Sequence, residues 1–338
     1  MAAALYDPDD GYYSRSTRQV GRSGDFFTSV SVGPVFGTLL ARRFLREWHE
    51  SGQPARWRIL ECGAHDGTLA NDVLTAIEKL DARAFSTLEY TISEPLPRLQ
   101  STQRETLRRF AGKVHFPNHP TELIDDPLPG IAFGNEVLDA LPCHLIEWHD
   151  DRWFERQVSL GGSDRLVFNL VEIRNPDLKT ALARLGGGFA DGYRSEIRTG
   201  YREFLGPLAA ALGSGLMIWL DYGFERQDYY HPGRHKGTLR TFSQHRAGDD
   251  PLARPGEVDL TAHVDFTAVA EAAQSLGWEP VALRSQGSWL TQNSRDWLMQ
   301  MEGDPQPAVL RQFQTLTHPA HLGAAFQVLE IHRRNSTP

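Results

Sequence analysis

From Ala55 onward, short apolar runs alternate with helical patterns, the arrangement expected of a parallel α/β sheet. Trp57-Arg-Ile-Leu-Glu-Cys-Gly63 reads as a strand running into a turn. Thr68 to Leu80 follows as a helix with Leu69, Val73, Ile77 and Leu80 on one face. Leu88 to Glu94 is a second strand, Arg98 to Phe110 a second helix of good helix formers, Lys113 to Phe116 a third strand and Ile131 to Gly134 a fourth. Gly215-Leu-Met-Ile-Trp-Leu-Asp221, apolar up to its last residue, reads as a fifth strand buried on both faces. Between the fourth and fifth strands the character changes. Leu145–His149, Trp153–Val158 and Leu166–Ile173 carry β-like runs, with Asp150-Asp151 and Gly161-Gly-Ser-Asp164 at hairpin turns. A short helix over Pro176–Leu185, a flexible Gly186-Gly-Gly188 join and a helix over Tyr201–Leu212 lead back to the sheet. The C-terminal third predicts a helix over Phe266–Leu276 and strands at Glu279–Arg284 and Phe326–His332. A long polar loop from Phe224 to Thr261 mixes apolar anchors with polar groups, which favours an ordered, working loop.

Composition narrows the functions open to such a fold. Of 338 residues, 40% are hydrophobic and 23% charged, a balance that can build a core. The net charge of −8 supplies no basic field to attract nucleic acid. Two cysteines exclude a disulfide scaffold and any zinc site of three or four thiolates; both are expected as buried, unreactive thiols. No apolar run approaches the roughly 20 residues that span a bilayer, and the opening Met1-Ala-Ala-Ala-Leu-Tyr6 is too short for a signal peptide. The expectation is a cytoplasmic protein with neither membrane nor nucleic acid as partner. The 13 histidines are scattered, without H-E-x-x-H or C-x-x-C, so no metal is expected.

Candidate chemistry gathers at strand ends. In Glu61-Cys-Gly-Ala-His-Asp-Gly67 an acid closes the first strand and glycines open a helix, which turns backbone N–H groups toward a ligand. Glu94, ending the second strand, is placed to accept bonds from ribose hydroxyls. The turn lacks G-x-G-x-x-G, so a nicotinamide dinucleotide is disfavoured, whereas S-adenosylmethionine, with no pyrophosphate, suits it. Asn135, Glu136 and Asp139 follow the fourth strand and Asp221 ends the fifth; helix capping is the plainer role for Asp139. Gly21 to Ser29 forms a glycine-hinged segment with two aromatics, suited either to closing over a cofactor or to packing Phe26 and Phe27 in the core.

Gly24-Asp-Phe-Phe-Thr-Ser29, the Glu61–Leu69 turn, Asn135-Glu-Val-Leu-Asp-Ala-Leu-Pro142, Leu220-Asp-Tyr-Gly223, Gly237-Thr-Leu-Arg240 and Asp259-Leu-Thr-Ala-His-Val-Asp-Phe266 occur in one order. With Leu5-Tyr-Asp-Pro8 and Gly11-Tyr-Tyr13, this series closely resembles the MidA-like S-adenosylmethionine-dependent methyltransferases, over nearly the whole chain. That family includes a mitochondrial protein-arginine methyltransferase needed for assembly of respiratory complex I. The resemblance implies a class I, Rossmann-like methyltransferase sheet with a mostly β insertion between its fourth and fifth strands and an N-terminal arm. In residues, the core is expected over 51–143 and 199–338, the insertion over 144–198, and an arm or helix packing on the cofactor site over 1–50. The cofactor is then S-adenosylmethionine, held by Gly24, Asp25, Phe27, Thr28, Glu61, Gly63, Ala64, His65, Gly67, Glu94 and Asn135. The chain departs from the family at two places: Ala64-His65 stands where Pro-Gly is usual, and Val30-Ser31 where Pro-Glu is usual. Three alternatives are open for His65: it stays with a negative φ and its ring pointing away, its ring hydrogen-bonds the cofactor's carboxylate, or it obstructs the site.

The reaction expected is methyl transfer to a protein side-chain nitrogen, arginine by resemblance. Glu136, Asp139, Asp221 and Asp265 are candidates to pair the guanidinium, and His263 to take the released proton. The competing expectation is a catalytically weak binding or assembly factor that lost its cofactor through His65. A nucleic-acid methyltransferase would carry an N-P-P-Y-like tetrad after the fourth strand, and Asn135-Glu-Val-Leu138 is not one. A homodimer through the β insertion and the aromatic-rich loops is a further expectation.

Overall fold

The apolar runs do become the strands of one sheet. In the computed structural model, residues 1–14, 28–162, 165–243, 246–301 and 306–334 are described. The first four strands are β1 (Trp57–Cys62), β2 (Leu88–Ser93), β3 (Val114–His115) and β4 (Leu128–Asn135). The inserted segment supplies β5 (His144–His149), β6 (Arg152–Leu160), β7 (Leu166–Glu172) and β8 (Arg194–Ile197). Then come β9 (Leu212–Phe224), the short β10 (Arg240–Ser243), β11 (Arg246–Gly248), β12 (Asp259–Thr261) and β13 (Val264–Asp265), and finally β14 (Glu279–Ser285) and β15 (Phe326–Arg333).

The central sheet runs β14-β15-β9-β4-β1-β2-β3, with β13 pairing on β9. Strands β1, β2, β3, β4 and β9 are mutually parallel, whereas β15 lies antiparallel to both β9 and β14. After β1 the chain steps outward through β2 and β3, then returns to the other side of β1 as β4. That reversal opens a crevice beyond the C-terminal ends of β1 and β4, where open α/β sheets bind their ligands.

Alternating residues of the strands face opposite layers, as a two-residue period requires. Ile59, Ile131 and Phe133 pack with the helices Val35–Glu50 and Thr68–Leu80. Leu60, Ala132, Met217 and Trp219 pack on the other side with the helices Tyr201–Ala211 and Phe266–Gln274. The expected face of Thr68–Leu80 is buried at Leu69, Val73 and Ile77, but Leu80 at its end is exposed.

The inserted strands form their own sheet, β7-β6-β5-β8, over a small core that includes Ile146, Leu178, Leu182 and Ile197. Asp150 and Asp151 make the expected hairpin turn, both with positive φ (48° and 56°), the combination of a type I′ turn. Two expectations need correction. The second helix spans Pro97–Thr106 and yields to a 3-10 turn at Arg108–Phe110 rather than running unbroken. The polar loop Phe224–Thr261 is not without regular structure: it holds the short helix Arg226–Tyr229 and a three-stranded sheet, β11-β10-β12.

Candidate active site

A cavity of about 940 Å³ opens at the topological reversal. Among its lining residues are Thr28, Glu61, Gly63, Ala64, His65, Glu94, Asn135, Glu136, Asp139 and His263, so most of the expected site residues are brought together. Gly24, Asp25 and Phe27 lie outside the described residues. Gly67 does not line the cavity; it is the left-handed residue (φ 82°) that opens the helix Thr68–Leu80.

The cofactor end is built by the ends of β1 and β2. Glu61 is buried, its carboxyl accepts a 2.6 Å bond from the Tyr90 hydroxyl, and burial pushes its pKa up to about 8. Gly63 has φ 66°, and a Cβ there would sit 2.8 Å from Val137 Cγ2, so the position demands glycine both for its backbone and for its space. His65 does not have the negative φ that would leave it unstrained: its φ is 47°. The backbone at this position is therefore left-handed, at a cost of about 1–2 kcal/mol for an L-residue. The half-exposed ring turns toward Asp66, with Nδ1 3.7 Å from Oδ1. Glu94 accepts from the Leu96 N–H at 3.0 Å and from Gln103 Nε2 at 3.4 Å. Burial raises its pKa above the usual carboxylate range.

Sequence reading passed over Gln103. Fully buried on the helix Pro97–Thr106, it donates to the His65 carbonyl at 2.9 Å as well as to Glu94, and so ties the glycine turn to the acid that follows β2. Only its burial at a helical position marks it, and no spacing in the sequence does. The Gln103 Oε1 and Asn135 Oδ1 atoms are buried without a partner among the described residues. Unpaired buried acceptors are costly, and Asn135 lines the cavity, so its oxygen suits a ligand's donor such as an amine. With the glycine-only cradle at Gly63 and the acid ending β2, the donor set fits S-adenosylmethionine.

The opposite end holds Tyr6, Tyr13, Glu136, Asp139, Tyr222, Arg240, Asp259 and His263. Glu136 occupies a left-handed conformation (φ 55°) at the end of β4, and its N–H donates to the Leu220 carbonyl. Asp221 explains how that strained turn persists. It is fully buried, and its Oδ2 accepts from the N–H groups of Val137, Leu138 and Asp139 at 3.1, 2.8 and 3.2 Å. Asp221 is thus a fastener beneath the turn and not a cavity residue, contrary to its expected catalytic place. Asp265 is corrected likewise: it caps the helix Phe266–Gln274 through Ala268 N–H and pairs with Arg226 at 3.4 Å, away from the cavity.

Electrostatics separate the remaining three candidates. Desolvation, then Asp139, pushes Glu136 up to about 8, and desolvation pushes Asp139 up to about 6. Desolvation and the nearby Arg234, Arg240 and Arg198 lower His263 to about 4, so its imidazole is neutral near pH 7. Its Nδ1 is buried without a partner among the described residues. Asp259 accepts from the Tyr13 hydroxyl at 3.0 Å; both belong to motifs quoted above, yet neither was singled out from sequence.

Comparison with known proteins agrees with this geometry. Residues 39–283, most of the chain, match the family model described as an S-adenosyl-L-methionine-dependent methyltransferase. The mitochondrial protein arginine methyltransferase NDUFAF7 homologue of Drosophila melanogaster is 30% identical over 98% of this chain and 80% of its own length. The zebrafish (Danio rerio) mitochondrial protein arginine methyltransferase NDUFAF7 is 26% identical over 98% and 82%. A crystal structure from Burkholderia thailandensis with S-adenosyl-homocysteine bound superposes with a TM-score of 0.86 at 31% identity, covering 98% of this chain and 86% of that one. These relatives correct one expectation: the curated ones are mitochondrial proteins, and a cytoplasmic location finds no support.

Proposed function

The chain belongs to the S-adenosyl-L-methionine-dependent methyltransferase family, and on that premise we propose that it methylates an arginine side chain of a protein. One observation carries the choice of acceptor: three carboxyl groups, on Glu136, Asp139 and Asp259, line the end of the cavity opposite the cofactor residues. A guanidinium is always protonated near neutral pH and presents a planar fork of N–H donors that carboxylates pair with two at a time. The named activity of the fly and zebrafish relatives supports the same reading.

The bound cofactor supplies an electrophilic methyl on a sulfonium, which becomes a neutral thioether as the N–C bond forms. The protein must orient the guanidinium and take one N–H proton. Glu61, Gly63, Glu94 and Asn135 hold the cofactor in this scheme, with Gln103 locking the first two elements together. Thr28, Ala64 and His65 line the same end, with Gly67 behind them opening the helix. Glu136 and Asp139 orient the acceptor. A base works best when its pKa is near the operating pH. Glu136, near 8, meets that condition better than His263, near 4. Proton removal therefore falls to Glu136, with the neutral His263 as a wall that adds no competing positive charge.

The test is incubation with radiolabelled S-adenosylmethionine and cell lysate, followed by acid hydrolysis and separation of the labelled amino acids. Label in methylarginine that disappears with Glu136→Gln is expected. Label in another residue refutes the acceptor, and label unaffected by Glu136→Gln removes Glu136 from the chemistry.

A further inference from the structure

The candidates on the cavity wall sit at the ends of core strands and on the loops around them, yet a second fastening of the acceptor end, beside Asp221, comes from the insertion. Arg198, directly after β8, is buried, and its guanidinium donates to four main-chain carbonyls. Nε reaches Leu141 at 2.9 Å, Nη1 reaches His263 at 2.6 Å, and Nη2 reaches Asp139 at 2.5 Å and Ala262 at 2.7 Å. One planar group thus joins the turn after β4 to the segment between β12 and β13.

Glu196 lies two residues earlier, on the same side of the chain by the period of a strand. It too is buried, and its carboxylate accepts from Thr238 N–H at 3.0 Å, Thr238 Oγ1 at 2.9 Å and Leu239 N–H at 3.1 Å. Thr238 Oγ1 in turn accepts from the His263 N–H at 3.0 Å. The approach is tight: a Cβ on Gly237 (φ 70°) would come 2.3 Å from Glu196 Oε1. Neither Arg198 nor Glu196 is among the residues lining the cavity.

We infer that Arg198 and Glu196 are positioning residues: through them the β insertion sets the spacing of Asp139 and His263 across the acceptor end of the cavity. The assignment of that end to an acceptor rests on the function proposed above. The fastening itself rests on the bonds just given. All of those bonds end on the acceptor side, so the cofactor end, made by β1 and β2, stands independently of them.

Arginine and lysine separate the two roles that a buried cation can play. A lysine keeps the charge, but an ammonium cannot span carbonyls arrayed around a rigid fork. In Arg198→Lys, amide hydrogen exchange is expected to quicken about tenfold or more at residues 139–141 and 262–263, while residues 61–69 keep wild-type rates. The Kd for S-adenosylmethionine, read by calorimetry, stays within about twofold, and kcat for methylation of the probe peptide acetyl-Gly-Gly-Arg-Gly-Gly-amide falls about tenfold or more. Added guanidinium chloride at millimolar concentration restores part of that rate in Arg198→Gly, a rescue that a general loss of stability would not show. Glu196→Gln, which keeps the side-chain shape, gives the same pattern more weakly and serves as a second arm if the arginine variants do not fold. Wild-type exchange at 139–141 and 262–263 in Arg198→Lys overturns the inference. So does a loosening of S-adenosylmethionine binding as large as the loss in kcat. If the wild type leaves the peptide unmethylated, the arginine reading fails, while the exchange and calorimetry still decide the positioning role.

Discussion

Replacing Gly63 by alanine tests whether the cradle at the end of β1 is set by space as well as by backbone. The substitution meets two separable costs. Alanine at φ 66° is left-handed, which costs about 1–2 kcal/mol. Its methyl would lie 2.8 Å from Val137 Cγ2 and 3.9 Å from Val137 Cβ, and among the described residues, its chain neighbours aside, no other heavy atom lies within 4 Å. Overpacking of that kind adds about 1–3 kcal/mol. The sum, about 2–5 kcal/mol, is a large share of a domain's stability. Val137→Ala removes the colliding methyl group, so in the double variant the packing part is recovered and only the strain remains. A coupling of about 1–3 kcal/mol is therefore expected between the two sites, read from urea denaturation of the wild type, both single variants and the double. Calorimetry with S-adenosylmethionine should show weaker binding in Gly63→Ala and partial recovery in the double. Strict additivity of the two single effects would refute the reasoning, because it would mean that the added methyl does not meet Val137.

Three other outcomes follow from the same geometry. The acceptor KM should fall as pH rises from 6 to 9, because Glu136 titrates near 8 and only its ionised form pairs with a guanidinium; Glu136→Gln should flatten that profile and lower kcat by about 10²–10⁴ while leaving the cofactor Kd unchanged. Glu61 has its pKa raised from 4.5 to about 8 in the folded protein, so the folded state holds the proton longer and this group's contribution falls as pH rises between those values; denaturation at pH 5 and pH 8 should show Glu61→Gln gaining on the wild type by up to about 3–4 kcal/mol at the higher pH. His65→Gly should relieve about 1–2 kcal/mol of strain and lose about 0.5–1 kcal/mol to glycine's freedom, leaving thermal stability equal or slightly higher and cofactor affinity within about threefold; a large loss of binding would show instead that the ring contacts the ligand.

The parallel strands of the central sheet were legible because they are largely apolar runs bounded by turn residues, and β9 is so apolar that burial on both faces was the only reading. The acids at strand ends were legible for the same reason, since parallel sheets place ligands there. What misled was the assumption that every strand-end acid faces the cavity. Asp221 and Asp265 lie near the ends of their strands as Glu61 does, but their oxygens are taken by main-chain N–H groups and by Arg226. Which way a carboxylate turns depends on what the next segment leaves unpaired, and periodicity carries no record of that. Arg198 and Gln103 were invisible for a related reason: their partners are backbone carbonyls far along the chain and, for Gln103, a carboxylate on the preceding loop. Their own neighbours in sequence give no hint. The strand β8 went unread because Arg194-Ser-Glu-Ile197 is mostly polar and offers no apolar run to mark it.

The order in which the sheet is strung together bears on how the chain emerges from a ribosome. Strand β4 ends at Asn135, and its neighbour β9 begins only at Leu212. Until then one edge of β4, with Ile131 and Phe133 beside it, has no pairing partner. At about 5–20 residues per second that interval lasts on the order of ten seconds. The inserted strands β5 to β8 are made during it, and their sheet with its small separate core can close before β9 arrives. An unpaired apolar edge is a site of misassociation between nascent chains. Slow synthesis through residues 144–198 is therefore a period of hazard for this fold, and a chaperone that shields β4 has its work set by the length of the insertion.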